Sequence, residues 1–397
     1  FILPLHTDVF SYPVRVLIMA EFTQYINKLQ AKIVKYSQKA KTSKRLALRI
    51  ILWNFKYILK NLAKQKTSYT DKKIHIGVEA LGGMGDLIIA AKYVCALEKY
   101  FGTDVIIDIL CNNKDLCYKN VIFPKNSVYT KEDAPNYDLY ISFIRFPVIE
   151  SYIPNRLNKK VSAYIETVNQ FHQKNLFISK NAFLGLAISM MRGRTRENQG
   201  DINNLLGMDK LDFKLESNLD IYSVLQKFGI NTPNYITIQT GSGRCWENIK
   251  NETRQWPEEY YRRFVRLLKD KYPEVQIIQI GSKKQTPISG VDIDLRDQTD
   301  MEEAFSLLKH AKLHISQEGG MVHARHFLRG GTSVVLFGPT DERFYGYPEN
   351  INLSRRICPF ACEWIEDDWM RKCIKTGCCA DCMQRLTPEF IMEFVKL

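Results

Sequence analysis

The chain has 397 residues, 45% hydrophobic and 25% charged, the composition of a folded globular protein and not of a disordered or collagen-like one. No uninterrupted apolar run approaches the roughly 18 residues that span a bilayer, so no membrane-spanning helix is expected. The formal net charge of +13 is uneven: residues 1–66 hold 13 of the 56 Lys and Arg against 2 of the 43 Asp and Glu, a net of +11.

This length accommodates two domains and an extension. Residues 15–66 read as one or two helices. Within them Leu46–Leu62 mixes basic residues with Leu46, Leu48, Ile50, Ile51, Leu52, Trp53, Phe55, Ile58, Leu59 and Leu62. That mixture suits a helix at an anionic membrane surface; it also suits a helix packed on its own protein with its basic face solvated. No nucleic-acid-binding signature accompanies the charge, so no nucleic acid is expected as a partner. Phe1–Pro13 lacks a basic start followed by an apolar stretch, so no secretory signal is expected there, and the first residue is not Met.

The character changes across Asp71–Asp86. Lys73–Val78 reads as a strand, Leu81-Gly82-Gly83-Met84-Gly85-Asp86 as a glycine turn, and Leu87–Tyr100 as a helix. Asp104–Leu110 and Leu139–Phe143 read as further strands, and the alternation continues loosely to about Leu184. Met191–Asn204 is polar and glycine-bearing, which predicts a loop. A second alternating series starts at Tyr235: strand Ile236–Gln239, helix Trp256–Lys271, strand Val275–Ile280 and helix Met301–His310. Next comes strand Leu313–Ser316, then Glu318-Gly319-Gly320, a helix carrying His323, Gly330-Gly331, strand Ser333–Phe337 and a Gly338-Pro339-Thr340-Asp341 turn. Strand, glycine turn, helix, glycine turn, strand is a parallel βαβ unit. Thr387–Leu397 reads as a closing helix, with Thr387 as N-cap, Pro388 at N1 and Glu389 in the first turn. The expected class is α/β: a basic helical extension over 1–70, and two Rossmann-like doubly wound domains over 71–228 and 229–397. Two such domains in tandem place a cleft between two sets of strand C-termini.

Glycines at a strand's C-terminal end let a phosphate lie against bare backbone and a helix N-terminus. An acidic residue at the same lip suits sugar hydroxyls. The segment after Ser316 therefore suggests a nucleotide-sugar site, although glycines serving only as turns would give the same pattern. Two other glycine-rich strand ends stand beside it: Gly82–Asp86, and Thr240-Gly241-Ser242-Gly243 followed by Arg254-Gln255-Trp256-Pro257. None is a Walker loop or a GxGxxG fingerprint. Ten cysteines are present, six of them in the last forty residues: Cys358, Cys362, Cys373, Cys378, Cys379 and Cys382. Their spacing approaches that of zinc or iron ligands without the usual CxxC…CxxC, and free or disulfide-bonded thiols are the alternative.

Taken together, these motifs resemble glycosyltransferase family 9, the ADP-heptose–lipopolysaccharide heptosyltransferases. The resemblance covers about residues 72–397. It rests on Gly85-Asp86, Gly241-Ser242-Gly243…Arg254-Gln255-Trp256-Pro257, Asp294-Leu295, Glu318-Gly319-Gly320-Met321-Val322-His323, Leu336–Asp341, and Cys382-Met383…Leu386-Thr387-Pro388-Glu389. It implies a GT-B fold with an acceptor-side N-terminal domain, a donor-side C-terminal domain and inverting sugar transfer without a catalytic metal. Asp86 is the implied general base, with helix capping as its other reading. Arg254 is implied to neutralise the diphosphate, with a surface salt bridge as its other reading. Donor contacts are expected from Thr240, Ser242, Gly243, Asp294, Glu318, Gly319, Gly320, Met321 and His323. Asp294 also reads as a turn carboxylate, and His323 as a packing or capping residue. The family has Asp-Ser/Thr-Gly where this chain has Glu318-Gly319-Gly320, so the carboxylate stays, one methylene longer, and the hydroxyl is lost. Relatives that modify autotransporter adhesins carry a cysteine-bound iron and form large oligomers; by that likeness Cys358, Cys362, Cys379 and Cys382 would hold a structural iron or zinc. The implied partners are an NDP-sugar, ADP-heptose foremost, and a lipopolysaccharide, lipooligosaccharide or capsule acceptor. A cytoplasmic place on the inner membrane face and a homo-oligomer are implied too. An adhesin-directed protein O-heptosyltransferase and a non-catalytic GT-B scaffold are the alternatives.

Overall fold

A computed structural model describes residues 12–42, 73–198, 206–241, 253–358, 361–373, 375–376 and 380–397. The expectations for Leu46–Leu62, Ser242, Gly243 and Cys379 fall outside these residues. The chain divides into two compact units. One takes in Lys214–Leu397 with Gly83–Gly85 and the start of the chain through Gln30; the other takes in Asp86–Phe213 with Ala31–Gly82. Helix α1 (Tyr12–Lys41) precedes both sheets, and Tyr25, Leu29 and Ala40 on it are buried. Among the described residues no helix is long and apolar enough to cross a membrane.

The unit containing Asp86–Phe213 is built on β1 (Ile74–Ala80), α2 (Met84–Phe101), β2 (Val105–Leu110), β3 (Val128–Tyr129), β4 (Leu139–Phe143) and β5 (Pro147–Tyr152). Its sheet runs β3-β2-β1-β4-β5, with the first three pairings parallel. β5 is antiparallel to β4, a departure from the all-parallel expectation. Ile144–Phe146 is too short for a crossover, so the chain can only turn back as a hairpin. The α2 face of the sheet is apolar: Leu87, Ile88, Val94 and Leu97 are buried, and Tyr93 stacks on Phe143 at 4.3 Å. Helices α3 (Lys159–Lys174) and α4 (Ala182–Met191) follow. Over the described part of the expected loop Met191–Asn204, α4 ends at Met191 and the chain is irregular apart from a 3-10 turn at Arg196–Asn198.

The larger unit holds α5 (Ile221–Lys227), β6 (Tyr235–Ile238), α6 (Glu258–Lys271), β7 (Gln276–Gln279), β8 (Ile293–Asp294), α7 (Met301–His310), β9 (His314–Gln317), α8 (Gly320–Phe327), β10 (Ser333–Phe337) and β11 (Ile351–Ser354). All pairings among these six strands are parallel, in the order β11-β10-β9-β6-β7-β8. Read from β8, that is the doubly wound order 3-2-1-4-5-6, which reverses between β6 and β9. Every residue of β6, β9 and β10 is buried, as expected of strands covered on both faces. Tyr261, Phe264, Val265 and Leu268 give α6 one apolar stripe at helical spacing. That stripe packs with Ile236, Ile315, Val334, Leu386, Ile391 and Val395 around Trp256, whose indole N–H donates to Leu386 O at 2.7 Å. The closing helix is α9 (Pro388–Met392), shorter than expected and capped by Thr387.

Candidate active site

In doubly wound sheets, ligands bind outside the strand C-termini where the strand order reverses. In the smaller unit that point lies between β1 and β4, where Leu81 N–H donates to Phe143 O at 3.0 Å. The glycine turn after β1 leads into α2, and Asp86 lies in the first turn of that helix, where the helix dipole favours a carboxylate. Gly82 has φ +122°, the left-handed region that favours glycine, and a Cβ there would collide with the Asp86 carboxylate. The opposite constraint is an ion pair: Arg196 Nη2 donates to Asp86 Oδ1. The Asp86 side chain is 21% exposed and that of Arg196 5%. Glu197, the next residue, pairs with Lys92 of α2. Sequence reading found Asp86 and missed Arg196, whose polar, glycine-bearing neighbourhood looks solvated.

The corresponding lip of the larger unit lies between β6 and β9. Gln317 Oε1 accepts from Gly241 N–H at 3.2 Å across it. Arg254 Nη2 donates to the Glu318 carboxylate at 2.6 Å and also to the Glu318 main-chain carbonyl. The extra methylene of Glu, relative to Asp, lets the carboxylate fold back onto the guanidinium that also holds its own carbonyl. Gly319 precedes α8 in extended backbone, and Met321 is buried. His323 Nδ1 lies 2.6 Å from the Tyr347 hydroxyl, and its Nε2 lies 3.8 Å from Glu318 Oε1. The structure therefore brings together Arg254, Glu318, Gly319, Gly320 and His323.

Two expected donor contacts have other occupations. The Thr240 hydroxyl donates to Thr286 O at 2.8 Å and is fully buried. Asp294 is gripped by Arg296 through Nε at 2.9 Å and Nη2 at 2.6 Å, and those hydrogen bonds hold its carboxyl below the usual range. Sequence reading named Asp341 only as part of the turn after β10 and missed Glu363, its neighbour in a buried acidic group. Asp341 caps a short helical turn and is bound by Arg343 at 2.7 and 3.0 Å. Glu363 accepts from Tyr345 OH at 3.0 Å and from Asp341 N–H at 3.3 Å. Burial, then the charge of Glu318, pushes the Glu363 carboxyl well above its ordinary value.

Cys358, Cys362, Cys373 and Cys382 are free thiols. Hydrogen bonding to Cys362 draws the Cys358 thiol down. That same bond and burial push Cys362 up, with Cys382 and Cys373 nearby. Burial, then Cys373, pushes Cys382 up to about 11. Cys373, which the expected ligand set omits, thus joins this neighbourhood. Among the described residues no group of three or more His, Cys, Asp or Glu is arranged to hold a metal ion; Cys379 of the expected set lies outside them.

No protein-family model matches the chain, and no curated protein matches it. Solved structures do. ADP-heptose lipopolysaccharide heptosyltransferase II of E. coli aligns at 14% identity over 81% of this chain and 97% of its own, with a TM-score of 0.51. The iron-containing dodecameric glycosyltransferase TibC of enterotoxigenic E. coli H10407 aligns at 12% identity over 83% and 76%, with a TM-score of 0.52. At such identities the likeness carries fold, and with the two doubly wound sheets it shows that this chain has the α/β GT-B fold of the heptosyltransferases.

Proposed function

We propose that the protein is an inverting glycosyltransferase that moves a sugar from a nucleotide-sugar to a bacterial surface glycan. The observation that carries this reading is Asp86: a part-exposed carboxylate on the first turn of α2, at the switch point of its sheet. Asp86 takes the proton of an acceptor hydroxyl as that oxygen attacks the anomeric carbon. The bond from that carbon to the diphosphate oxygen breaks, and the nucleoside diphosphate leaves with the electron pair. Arg254 and the main-chain N–H groups of Gly320 and Met321 neutralise the leaving charge. ADP-heptose is the proposed donor. One similar structure is an ADP-heptose heptosyltransferase, and TibC has been solved with ADP-D-β-D-heptose.

Asp86→Asn tests the assignment. Sugar transfer from ADP-D-β-D-heptose to lipooligosaccharide should fall by about 10³-fold or more, with donor affinity within about twofold. Undiminished turnover in the variant would exclude Asp86 as the base. One observation favours a second reading, a non-catalytic binding protein: Glu318 already neutralises Arg254. That reading predicts nucleotide binding without turnover by the unsubstituted chain for any nucleotide-sugar supplied.

A further inference from the structure

We propose that Arg196 is the positioning residue of the transfer reaction, fixing the rotation of the Asp86 carboxylate and holding it ionised. This rests on the reading of Asp86 as the base. The argument starts with the turn that carries the arginine. Thr195 N–H and its hydroxyl donate to Asn198 Oδ1 at 3.1 and 3.2 Å, which closes Thr195–Asn198 on itself. From this closed turn two successive side chains of opposite charge reach α2. Arg196 meets Asp86, and Glu197 meets Lys92, six residues further along the helix. Lys92 is 1% exposed and Arg196 4%, so both cations have left water and each is paired with a carboxylate. Two crossed ion pairs fix the turn along the helix and also fix its direction. A solvated surface arginine would do neither, since one exposed pair contributes little and swings freely.

The carboxylate has room on the glycine turn and a cation on one oxygen. Gly82 presents bare backbone where a Cβ would collide with it, and Arg196 binds Oδ1 from the other constraint. Chemistry gives a reason for a permanent cation here. A nucleotide-sugar brings a diphosphate to the reaction, and nearby negative charge favours the protonated carboxyl, which cannot act as a base. A guanidinium stays charged throughout the working pH range and opposes that shift without consuming a proton. Arg196 acts through Asp86 and not on the substrate.

The test uses the full chain and two substitutions, Arg196→Gln and Arg196→Lys, beside Asp86→Asn. The Asp86 carboxyl is titrated by ¹³C NMR, its signal assigned by its loss in Asp86→Asn. In Arg196→Gln the titration should move up by about one pH unit or more, and Arg196→Lys should restore most of the difference. In transfer from ADP-D-β-D-heptose to lipooligosaccharide, the acid limb of kcat should move up in the same variant. kcat at neutral pH should fall by about tenfold to hundredfold with the donor KM within about twofold. An unmoved titration and acid limb in Arg196→Gln overturns the proposal, and so does a Lys variant no better than Gln. If Asp86→Asn is inactive while Arg196→Gln keeps the native titration, the base reading stands and this one fails. If Asp86→Asn is fully active, the base reading itself fails. Should Arg196→Gln not fold, Arg196→Met against Glu197→Gln decides: only the former is expected to move the Asp86 titration, and an unmoved titration in it overturns the proposal.

Discussion

Two arginine–carboxylate pairs occupy corresponding places, each at the C-terminal lip of its own sheet where the strand order reverses. In the Asp86–Arg196 pair the arginine is the buried member and the carboxylate the accessible one, at 5% and 21% exposure. In the Arg254–Glu318 pair neither protrudes, at 12% and 9%. The chemistry of such a pair belongs to whichever partner solvent and substrate can reach. The first pair presents a fixed carboxylate. The second presents a guanidinium already engaged, so an anionic ligand must compete with Glu318 for it.

Three measurements break or sharpen that comparison. The largest effect is expected for Arg254→Met, which should lower kcat/KM for the nucleotide-sugar by about 10²–10³-fold, as removal of a leaving-group donor does. A steady-state assay that finds less than a few-fold loss would assign Arg254 to structure alone. Glu318→Gln is expected to act in the opposite sense on binding. Releasing the guanidinium from its carboxylate should tighten ADP by about tenfold in calorimetry. Weaker binding would mean that the carboxylate serves the ligand directly. The smallest effect concerns the acid behind this lip. Glu363 has its carboxyl raised in the folded state above the ordinary 4.5, by burial and by Glu318. Above pH 4.5 the unfolded chain releases this proton while the folded one keeps it, so stability falls as pH rises toward the folded value. Glu363→Gln removes that slope while its amide can still accept from Asp341 N–H and donate to Tyr345. The variant should melt a few degrees higher than the parent at pH 7.5, and the gain should vanish below pH 4.5. An equal gain at both pH values would trace it to packing.

The elements that position these pairs were legible for a physical reason. Parallel strands covered on both faces read as apolar runs, so Leu139–Phe143 and Ser333–Phe337 are found where the sequence places them. Glycines beside an acid marked both lips. What the pattern does not contain is partnership across long separation. Arg196 lies 110 residues from Asp86, in a segment whose Arg, Gly and Asn content resembles any solvated loop. Its burial follows from a partner and not from its neighbours. For Arg254 the sequence leaves both a phosphate contact and a salt bridge open, and only the folded chain shows that its partner is the carboxylate of Glu318. The edge strands β3, β8 and β11 have two to four residues each and carry too little periodicity to be read.

The crossed contacts of Arg196–Glu197 with Asp86–Lys92 have a consequence for how the chain reaches its native state. Docked in the reverse direction, the turn would set Glu197 against Asp86 and Arg196 against Lys92, two like-charge encounters in place of two ion pairs. The segment can therefore settle only on a helix that is already formed and correctly oriented. Both contacts close loops of more than a hundred residues, so each carries a loop-closure entropy that a local contact would not. The carboxylate proposed for catalysis is thus set in place by a turn that the charge pattern admits in one direction only.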